Sequence, residues 1–298
     1  PAPSRTIYQL IGYSPDAIVE AALRLARGEE VHRAPAHPRG TDAPGAPGNA
    51  WAPGRVMPAG IDINLGCSAP HIVKKGGGVA WMERTREAFM VVERIRAALP
   101  EQTLSAKLRL GRTDDPDRLV SFCRELEARG IDFMTLHPKK QKEGSARPPR
   151  WEFVDLLRRE LSIPVIGNGG ITSWEAYVAR RDRSGGADKE ALMIGRGAVR
   201  APWIFAYLGA REHDPAYELS VSLEAVMERL FKLIETYQPA DFWPSRARRL
   251  YPYFFQNLHF GHAVGAALGN TRDYEEGKRR VRAFFAERPE RSHYVERR

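Results

Sequence analysis

The chain has 298 residues, of which 43% are hydrophobic and 28% are charged. These proportions are typical of a folded globular protein and exclude a disordered or fibrous chain. With 46 Lys and Arg against 37 Asp and Glu, the net charge is +9, which favours a polyanionic partner. Two cysteines are too few for a disulfide framework and indicate a reducing compartment, which we expect to be the cytoplasm.

The sequence carries no sign of a membrane span or of a secretory leader. No apolar run reaches the roughly 18 residues that a spanning helix needs, and the first residues lack a basic stretch followed by an apolar one. The chain begins with Pro1 rather than Met, which fits a start inside a longer protein. We expect a monomer without membrane association.

Short apolar runs alternate with amphipathic stretches along the first two thirds of the chain. This alternation is typical of a parallel sheet surrounded by helices. The predicted strands are residues 6–12, 60–66, 104–111, 133–137, 163–169 and 191–197. The predicted helices are residues 16–26, 84–98, 117–129, 151–161, 174–181 and 202–208.

One segment interrupts this alternation. Residues 34–60 contain six Pro and five Gly and few apolar positions, so we interpret residues 34–59 as a flexible insertion without a function of its own. About 180 residues then remain for six strand-helix units of about 30 residues each. Because an eightfold barrel typically has about 250 residues, a TIM-type (β/α) barrel here would lack two units.

The pattern changes after about residue 215 to helices only, predicted at residues 219–237, 245–259 and 274–287. From residue 241 to the C-terminus there are 12 Lys and Arg against 7 Asp and Glu, together with eleven aromatic residues. We therefore predict two domains. Residues 1–212 form the barrel and residues 213–298 form an all-helical domain with a basic, aromatic surface.

Chemistry in parallel α/β folds takes place in the loops at the carboxyl ends of the strands. Cys67 lies in such a loop, and we regard it as a candidate acid or nucleophile, the alternative being a small buried residue. Cys123 falls in the apolar phase of a predicted helix and is expected to be buried. His71 follows Cys67 by four residues, but no second Cys/His pair has ligand spacing, so we expect no metal site.

Basic and glycine-rich segments follow the later strands. Lys107 and Arg109 share one face of their strand, which fits either a site or a paired, solvated face. Glycine turns at residues 167–170 and 195–197 resemble the phosphate-binding loops after the last two strands of a barrel, so the missing units would be the first two. Residues 137–150 carry five Lys and Arg against one Glu, which favours a large anion such as a nucleic acid over an ordinary solvated charge run.

Several of these segments together resemble the tRNA-dihydrouridine synthases, in order and spacing, over about residues 6–210. The segments that carry the resemblance are Asp62-Ile63-Asn64-Leu65-Gly66-Cys67, Gly76-Gly77-Gly78, Trp81-Met82, Lys107-Leu108-Arg109-Leu110-Gly111, residues 163–170, residues 193–198 and residues 202–205. The resemblance implies an FMN-containing barrel with a helical tRNA-binding domain, which reduces the 5,6 double bond of a uridine with electrons from NADPH.

The resemblance also implies roles for individual residues. Cys67 would be the general acid that protonates C5 of the base while hydride reaches C6, a role suited to an ordinary thiol, which is protonated at neutral pH. Asn64 would face both the flavin and the uracil. Gln9 and Lys107 would contact the flavin ring, with His137 beside its pyrimidine end. The phosphate would be held by Asn168, Gly169, Gly170, Gly195 and Arg196. Arg109, Lys139 and Lys140 would bind the substrate RNA, whose target base must leave its stack.

The sequence departs from the family pattern at three places. Ser68 stands where the family has Pro, Pro138-Lys139 replaces a Gly-Arg pair, and the first two strand-helix units have no counterpart before Thr6. Two other functions therefore stay open. One is a small-molecule FMN oxidoreductase of the same fold, and the other is a flavin-free RNA-binding relative.

Overall fold

A computed structural model describes residues 6–28, 58–144, 146–181 and 191–296. The chain divides into two compact units. The sheet unit comprises Pro1–Gly169 and Arg183–Met193, and the helical unit comprises Gly170–Asp182 and Ile194–Arg298. The predicted functional division after residue 212, with flavin on one side and tRNA on the other, stays a prediction.

The sheet unit is built on six parallel strands whose order in the sheet is their order along the chain. The strands are β1 (Ile7–Leu10), β2 (Gly60–Leu65), β3 (Leu104–Leu108), β4 (Phe133–Leu136), β5 (Val165–Asn168) and β6 (Leu192–Met193). Because a helix or loop carries the chain back between successive strands, this is the (β/α) barrel arrangement. The prediction of a partial barrel with six strand-helix units is confirmed.

The two faces of the sheet differ in chemistry because side chains alternate along each strand. On the outer face, Ile61, Ile63 and Leu65 of β2 are almost fully buried. The inner face of the same strand carries Asp62 and Asn64. The register aligns Gln9 with Asp62 and Asp62 with Ser105, and it aligns Asn64 with Lys107 and Lys107 with Thr135. The inner face is therefore a continuous polar surface across the first four strands.

Local signals explain where the helices of the sheet unit begin. Ser14 accepts a hydrogen bond from the backbone N–H of Ala17, and Asp115 accepts one from that of Arg118, so both residues cap a helix. Pro follows each cap at the first helical position, where its missing N–H has no cost. The helices are α1 (Pro15–Ala26), α2 (Pro70–Lys74), α3 (Thr85–Ala98), α4 (Pro116–Ala128) and α5 (Glu152–Glu160), with a 3₁₀ helix at Gly78–Met82.

The helical unit has a core of its own, rich in aromatic residues. Phe231, Tyr251, Phe254, Phe255 and Phe285 are each at most 1% exposed and lie in one cluster. Ser222 and Asp273 cap two of its helices. The helices of the unit are α6 (Trp174–Arg181), α7 (Arg196–Arg200), α8 (Ile204–His213), α9 (Leu223–Tyr237), α10 (Trp243–Phe254), α11 (Gly261–Gly269) and α12 (Tyr274–Glu287), with 3₁₀ helices at Ala240–Phe242, Phe255–Asn257 and Pro289–Arg291.

Two predicted elements of this unit need correction. Residues 219–222 do not begin the long helix but form β7 (Leu219–Ser222), which pairs antiparallel with β8 (His293–Glu296). A four-residue strand ahead of a capped helix has too few residues for its alternation to be distinguished from helical spacing. The helix predicted at residues 202–208 corresponds to α8, which begins at Ile204. Residues 201–203 are not helical and separate α8 from the short helix α7.

The predicted insertion at residues 34–59 lies outside the described residues except for its last two positions. In the part of the chain that the structure describes, no helix combines the length and the apolar character that crossing a membrane requires.

We expect Gly167→Ala to destabilise the sheet unit. A Cβ at Gly167 would lie 2.2 Å from Cζ3 of Trp151, a side chain that is 1% exposed, so the indole must move out of its packed position. Overpacking of this kind costs about 1–3 kcal/mol. Gly209→Ala in α8 is the matched control because nothing lies within 4 Å of its Cβ, and it should stabilise the protein by about 0.5–1 kcal/mol. Urea unfolding monitored by circular dichroism measures both changes, and equal stability of the two variants would contradict the packing argument.

Candidate active site

A chain of hydrogen bonds runs across the inner face of the sheet from β3 to β1. The Ser105 hydroxyl donates to Oδ1 of Asp62 at 2.6 Å, and Nε2 of Gln9 donates to Oδ2 of the same carboxylate at 2.5 Å. Asp62 is 8% exposed. Burial raises the pKa of the Asp62 carboxyl, whereas the hydrogen bonds from Ser105 and Gln9 and the charge of Lys107 act in the opposite direction. A buried carboxylate thus stands at the centre of the predicted site.

The same hydrogen bonds continue to the loop that holds Cys67. Asn64 donates from Nδ2 to Oε1 of Gln9 at 2.7 Å. Its Oδ1 accepts from the backbone N–H groups of Gly66 at 3.1 Å and Cys67 at 2.8 Å. The structure therefore brings together Gln9, Asn64 and Cys67, three residues that the sequence analysis assigned to one site. Cys67 is partly exposed.

The glycines after Cys67 allow a close approach of two backbone segments. Gly78 has φ +57°, and a Cβ there would lie 2.3 Å from the carbonyl oxygen of Cys67. Val79 donates its N–H to that same oxygen at 2.9 Å. A Cβ at Gly77 would lie 2.6 Å from the carbonyl oxygen of Gly12, the residue to which the Trp81 indole also donates. Because glycine has no Cβ, Gly77 can lie against the backbone of Gly12 and Gly78 against the backbone of Cys67.

Lys107 lies on the inner face next to these residues and is only partly exposed. Burial lowers the pKa of Lys107, and the charge of Arg109 lowers it further, whereas Asp62 and Cys67 act in the opposite direction. An amine in this environment is desolvated and pairs readily with a polar or anionic group. Arg109 follows the end of β3 at Leu108, so the predicted common strand face of Lys107 and Arg109 stays a prediction.

His137 and Gly169 lie side by side at the ends of β4 and β5. Gly169 has φ +125°, and a Cβ on it would lie 2.9 Å from Cδ2 of His137. Any other residue here would have to displace the imidazole or strain the backbone. Asn168 donates from Nδ2 to the carbonyl oxygen of Met193 at 2.8 Å and so connects the end of β5 to β6. The family resemblance assigns these three residues of the sheet unit to the flavin.

The basic loop at residues 137–150 is held by its own charges. Lys139 is 3% exposed and donates to the carbonyl oxygen of Gly144 at 2.8 Å. Arg150 binds both oxygens of Glu143, at 2.8 and 2.5 Å, and this pairing lowers the pKa of Glu143 to about 2. Arg109 donates to the carbonyl oxygen of Lys140 at 3.4 Å. The structure therefore places Lys139 and Arg109 in contacts that shape the loop.

A groove of about 690 Å³ lies beside this loop. It is lined by Arg112, Lys140, Gln141, Lys142, Glu143, Gly144 and Arg147. The Glu143 carboxylate that lines it is paired with Arg150, so the remaining charge of the lining is positive. Lys142 and Arg147 are exposed. Lys140, the third predicted substrate-binding residue, lies 3.6 Å from Asp114 through its Nζ. The groove can accept an extended anion.

The remaining predicted phosphate-binding residues belong to the helical unit. Gly170 has φ +74°, as a tight turn requires. Gly195 precedes α7, and nothing lies within 4 Å of a Cβ built on it. Arg196 is the first residue of α7 and is exposed. Within this unit, a Cβ at Gly197 would lie 2.5 Å from the carbonyl oxygen of Ile171, so the two glycine turns are close neighbours there.

The structure also identifies site residues that the sequence analysis left without a role. Asp62 and Ser105 lie at the centre of the hydrogen-bonded inner face, and the signal for them was a polar residue at every second position of an otherwise apolar strand. Cys123, predicted to be buried, is fully buried. Among the described residues, no group of three or more His, Cys, Asp or Glu is arranged to hold a metal ion.

Comparisons with known proteins identify the family of the chain. A family model described as dihydrouridine synthase (Dus) matches residues 55–280. The tRNA-dihydrouridine(16) synthase of Neisseria meningitidis serogroup B is 34% identical over 55% of this chain and 48% of its own length. A probable tRNA-dihydrouridine synthase 1 of Synechocystis is 33% identical over 51% of this chain and 41% of its own length. The tRNA-dihydrouridine(16) synthase of Shewanella oneidensis is 31% identical over 65% of this chain and 62% of its own length.

Solved structures add a weaker similarity. A dihydrodipicolinate synthase from Agrobacterium tumefaciens is 14% identical, with a TM-score of 0.42 over 95% of this chain and 82% of that chain, which is too low to support an inference. The chain spans about half the length of the first two relatives described above. Because the family model covers residues 55–280, which is most of the sequence and includes the Cys67 loop and the inner face of the sheet from β2 onward, the chain belongs to the dihydrouridine synthase family.

Proposed function

We propose that this protein reduces a uridine in tRNA to 5,6-dihydrouridine, with FMN as its cofactor and NADPH as the source of electrons. Membership of the dihydrouridine synthase family supports the reaction. The names of its relatives point to tRNA as the substrate. The structural observation that carries the proposal is the row of hydrogen bonds on the inner face of the sheet, which joins Gln9 through Asn64 to the backbone of Cys67. Lys107 is aligned with Asn64 on the neighbouring strand.

The residues of the sheet unit fit the ring system of a flavin. Gln9, Asn64 and Lys107 offer amide and ammonium groups, which suit the alternating carbonyl and nitrogen atoms of an isoalloxazine edge. Gly169 has no Cβ, so its backbone lies close to the imidazole of His137. A flat ligand could approach both groups. Within the sheet unit, Asn168 and Gly169 are the proposed phosphate ligands. The family resemblance gives the same role to Gly170, Gly195 and Arg196, which belong to the helical unit. When bound, reduced FMN would supply the hydride for the reduction of the base.

The protein itself supplies the proton and the orientation of the base. Cys67 donates the proton from Sγ to C5. Asn64 fixes the backbone of Cys67 through its Oδ1 and thereby fixes the direction from which the thiol approaches. Because the proton and the hydride must reach adjacent carbons, this positioning sets the rate of the step.

The basic groove beside the loop at residues 137–150 provides the proposed grip on the RNA. Lys142 and Arg147 are exposed at its edge, and Arg112 and Lys140 extend the positive lining. Phosphate contacts of this kind hold a polynucleotide without reading its sequence. They also offset the unstacking energy that a flipped base requires.

We expect Cys67→Ala to abolish uridine reduction and to leave the flavin bound. The substitution removes the proton donor, whereas the proposed flavin ligands are other side chains and backbone groups. Dihydrouridine is measured in tRNA by mass spectrometry after incubation with NADPH, and bound flavin is measured by the absorbance of the purified protein. Loss of general acid catalysis alone lowers the rate by about 10²–10⁴.

Cys123→Ala is the control because Cys123 is buried in α4, away from the inner face, and it should remain active with a small loss of stability. Loss of the yellow colour in Cys67→Ala would argue against the assigned role. A wild-type protein that reduces free pyrimidines or enones without tRNA would instead favour the small-molecule oxidoreductase. A wild-type protein that retains tRNA without binding any flavin would favour the RNA-binding relative.

We expect the double variant Lys142→Ala/Arg147→Ala to weaken tRNA binding and to flatten its dependence on salt. If both side chains contact phosphates, the slope of log K against log salt concentration decreases by about 1.4–1.8. Filter binding at several salt concentrations measures the slope, and the KM for tRNA should rise while kcat changes little.

The matched control is Arg86→Ala/Arg159→Ala, which removes the same charge from exposed positions on α3 and α5. If the two double variants have the same salt slope, the groove does not contact the RNA and only the net charge matters.

A further inference from the structure

Asp62 accepts hydrogen bonds from two sides and contributes no atom to the proton transfer proposed above. Its two oxygens receive the Ser105 hydroxyl and the Gln9 amide, and the carboxylate is almost completely buried. Placing a carboxylate in a buried position is unfavourable unless it is well supplied with hydrogen bonds. Because burial of the Asp62 carboxylate is unfavourable in free energy, it points to a role in the orientation of its hydrogen-bond donors, Gln9 and Ser105.

The hydrogen bonds form an ordered series because each partner has fixed donors and acceptors. An ionised carboxylate only accepts, so Gln9 must turn its NH₂ group toward Asp62 and its carbonyl toward Asn64. Asn64 must then present its own NH₂ group to Gln9 and its carbonyl to the loop. That carbonyl accepts the N–H groups of Gly66 and Cys67, which can only donate. The orientation of both amides is thus set from the two ends of the series.

We propose that Asp62 is a positioning residue that fixes the Cys67 loop through the amides of Gln9 and Asn64. The proposal deepens the proposed function and rests on it for the role of Cys67 as the acid. Asp62 lies on β2, at the position opposite Gln9 of β1, so it links a neighbouring strand to the loop at the end of its own strand. Its effect on the thiol passes through two side chains and needs no direct contact with the base.

The test exchanges the carboxylate and the amide between positions 9 and 62. In Gln9→Glu, two carboxylates face each other and repel, so the side chain at position 9 turns away and no longer holds the amide of Asn64. In Gln9→Glu/Asp62→Asn, the amide introduced at position 62 donates to the carboxylate introduced at position 9 and accepts from Ser105. That new carboxylate also accepts from Asn64. Every hydrogen bond of the series can form again, and the total charge equals that of the native protein.

The readout is the exchange of the backbone amide hydrogens of Gly66 and Cys67, followed by mass spectrometry of overlapping peptides from protein without added cofactor or RNA. We expect faster exchange in Gln9→Glu, by up to about tenfold if one hydrogen bond is lost. The double variant should return to the native rate. Exchange in β3 and β4 and the melting temperature show whether each variant is folded.

Two further variants complete the experiment. Asp62→Ala removes the acceptor, and we expect it to speed exchange at Gly66 and Cys67 as Gln9→Glu does. Ser105→Ala is the matched control, because Oδ2 of Asp62 still accepts from Gln9, and its exchange at these residues should stay within about twofold of native. If Asp62→Ala proves unstable, the comparison of Gln9→Glu with Gln9→Glu/Asp62→Asn still tests the proposal.

The proposal is overturned if Gln9→Glu/Asp62→Asn exchanges as fast as Gln9→Glu, or if a folded Asp62→Ala exchanges at the native rate. Either result would mean that Asp62 does not act on the loop through Gln9. Since these measurements need neither tRNA nor flavin, their outcome is independent of turnover. A protein that passes them and reduces no uridine in tRNA would overturn the proposed function and leave the coupling within the loop established.

Discussion

The alternation of side chains along parallel strands is the constraint on which the site depends. Ile61, Ile63 and Leu65 can be buried on the outer face only if Asp62 and Asn64 point inward. A slip of one residue in the register of β2 would expose three apolar side chains and bury two polar ones among the helices. The burial of the outer face therefore fixes the position of the inner polar groups, and stability and site geometry have the same origin.

Much of the fold followed from the sequence because its signals are local. The outer apolar residues and the turns after them identified all six strands, and Ser14, Asp115 and similar caps explain the helix starts. The pairing of β7 with β8 could not be predicted this way, since the paired residues are 71 to 77 positions apart and each strand is four residues long. The same limit applies to the candidate site. Asp62 and Gln9 lie on two different strands and are brought together only by the register of β1 and β2, which no single segment encodes.

The basic loop shows why counting charges overstates a binding surface. Residues 137–150 contain five Lys and Arg, but Lys139 is buried against the carbonyl of Gly144 and Arg150 is paired with Glu143. These charges are used in contacts within the loop. The sequence alone could not distinguish the Lys and Arg side chains that make contacts within the loop from those that face solvent, because only the structure shows these contacts.

The two cysteines differ in a way that has a practical consequence. Cys123 is completely enclosed in α4, and burial raises its pKa far above the ordinary value, whereas Cys67 is partly exposed at the end of β2. Thiol-directed reagents react with the accessible thiolate and not with an enclosed thiol. A maleimide or iodoacetamide label added to the native protein would consequently attach at one sulfur. The chain thus offers a single labelling point in the loop after β2, and a fluorophore or spin label could be attached there without engineering.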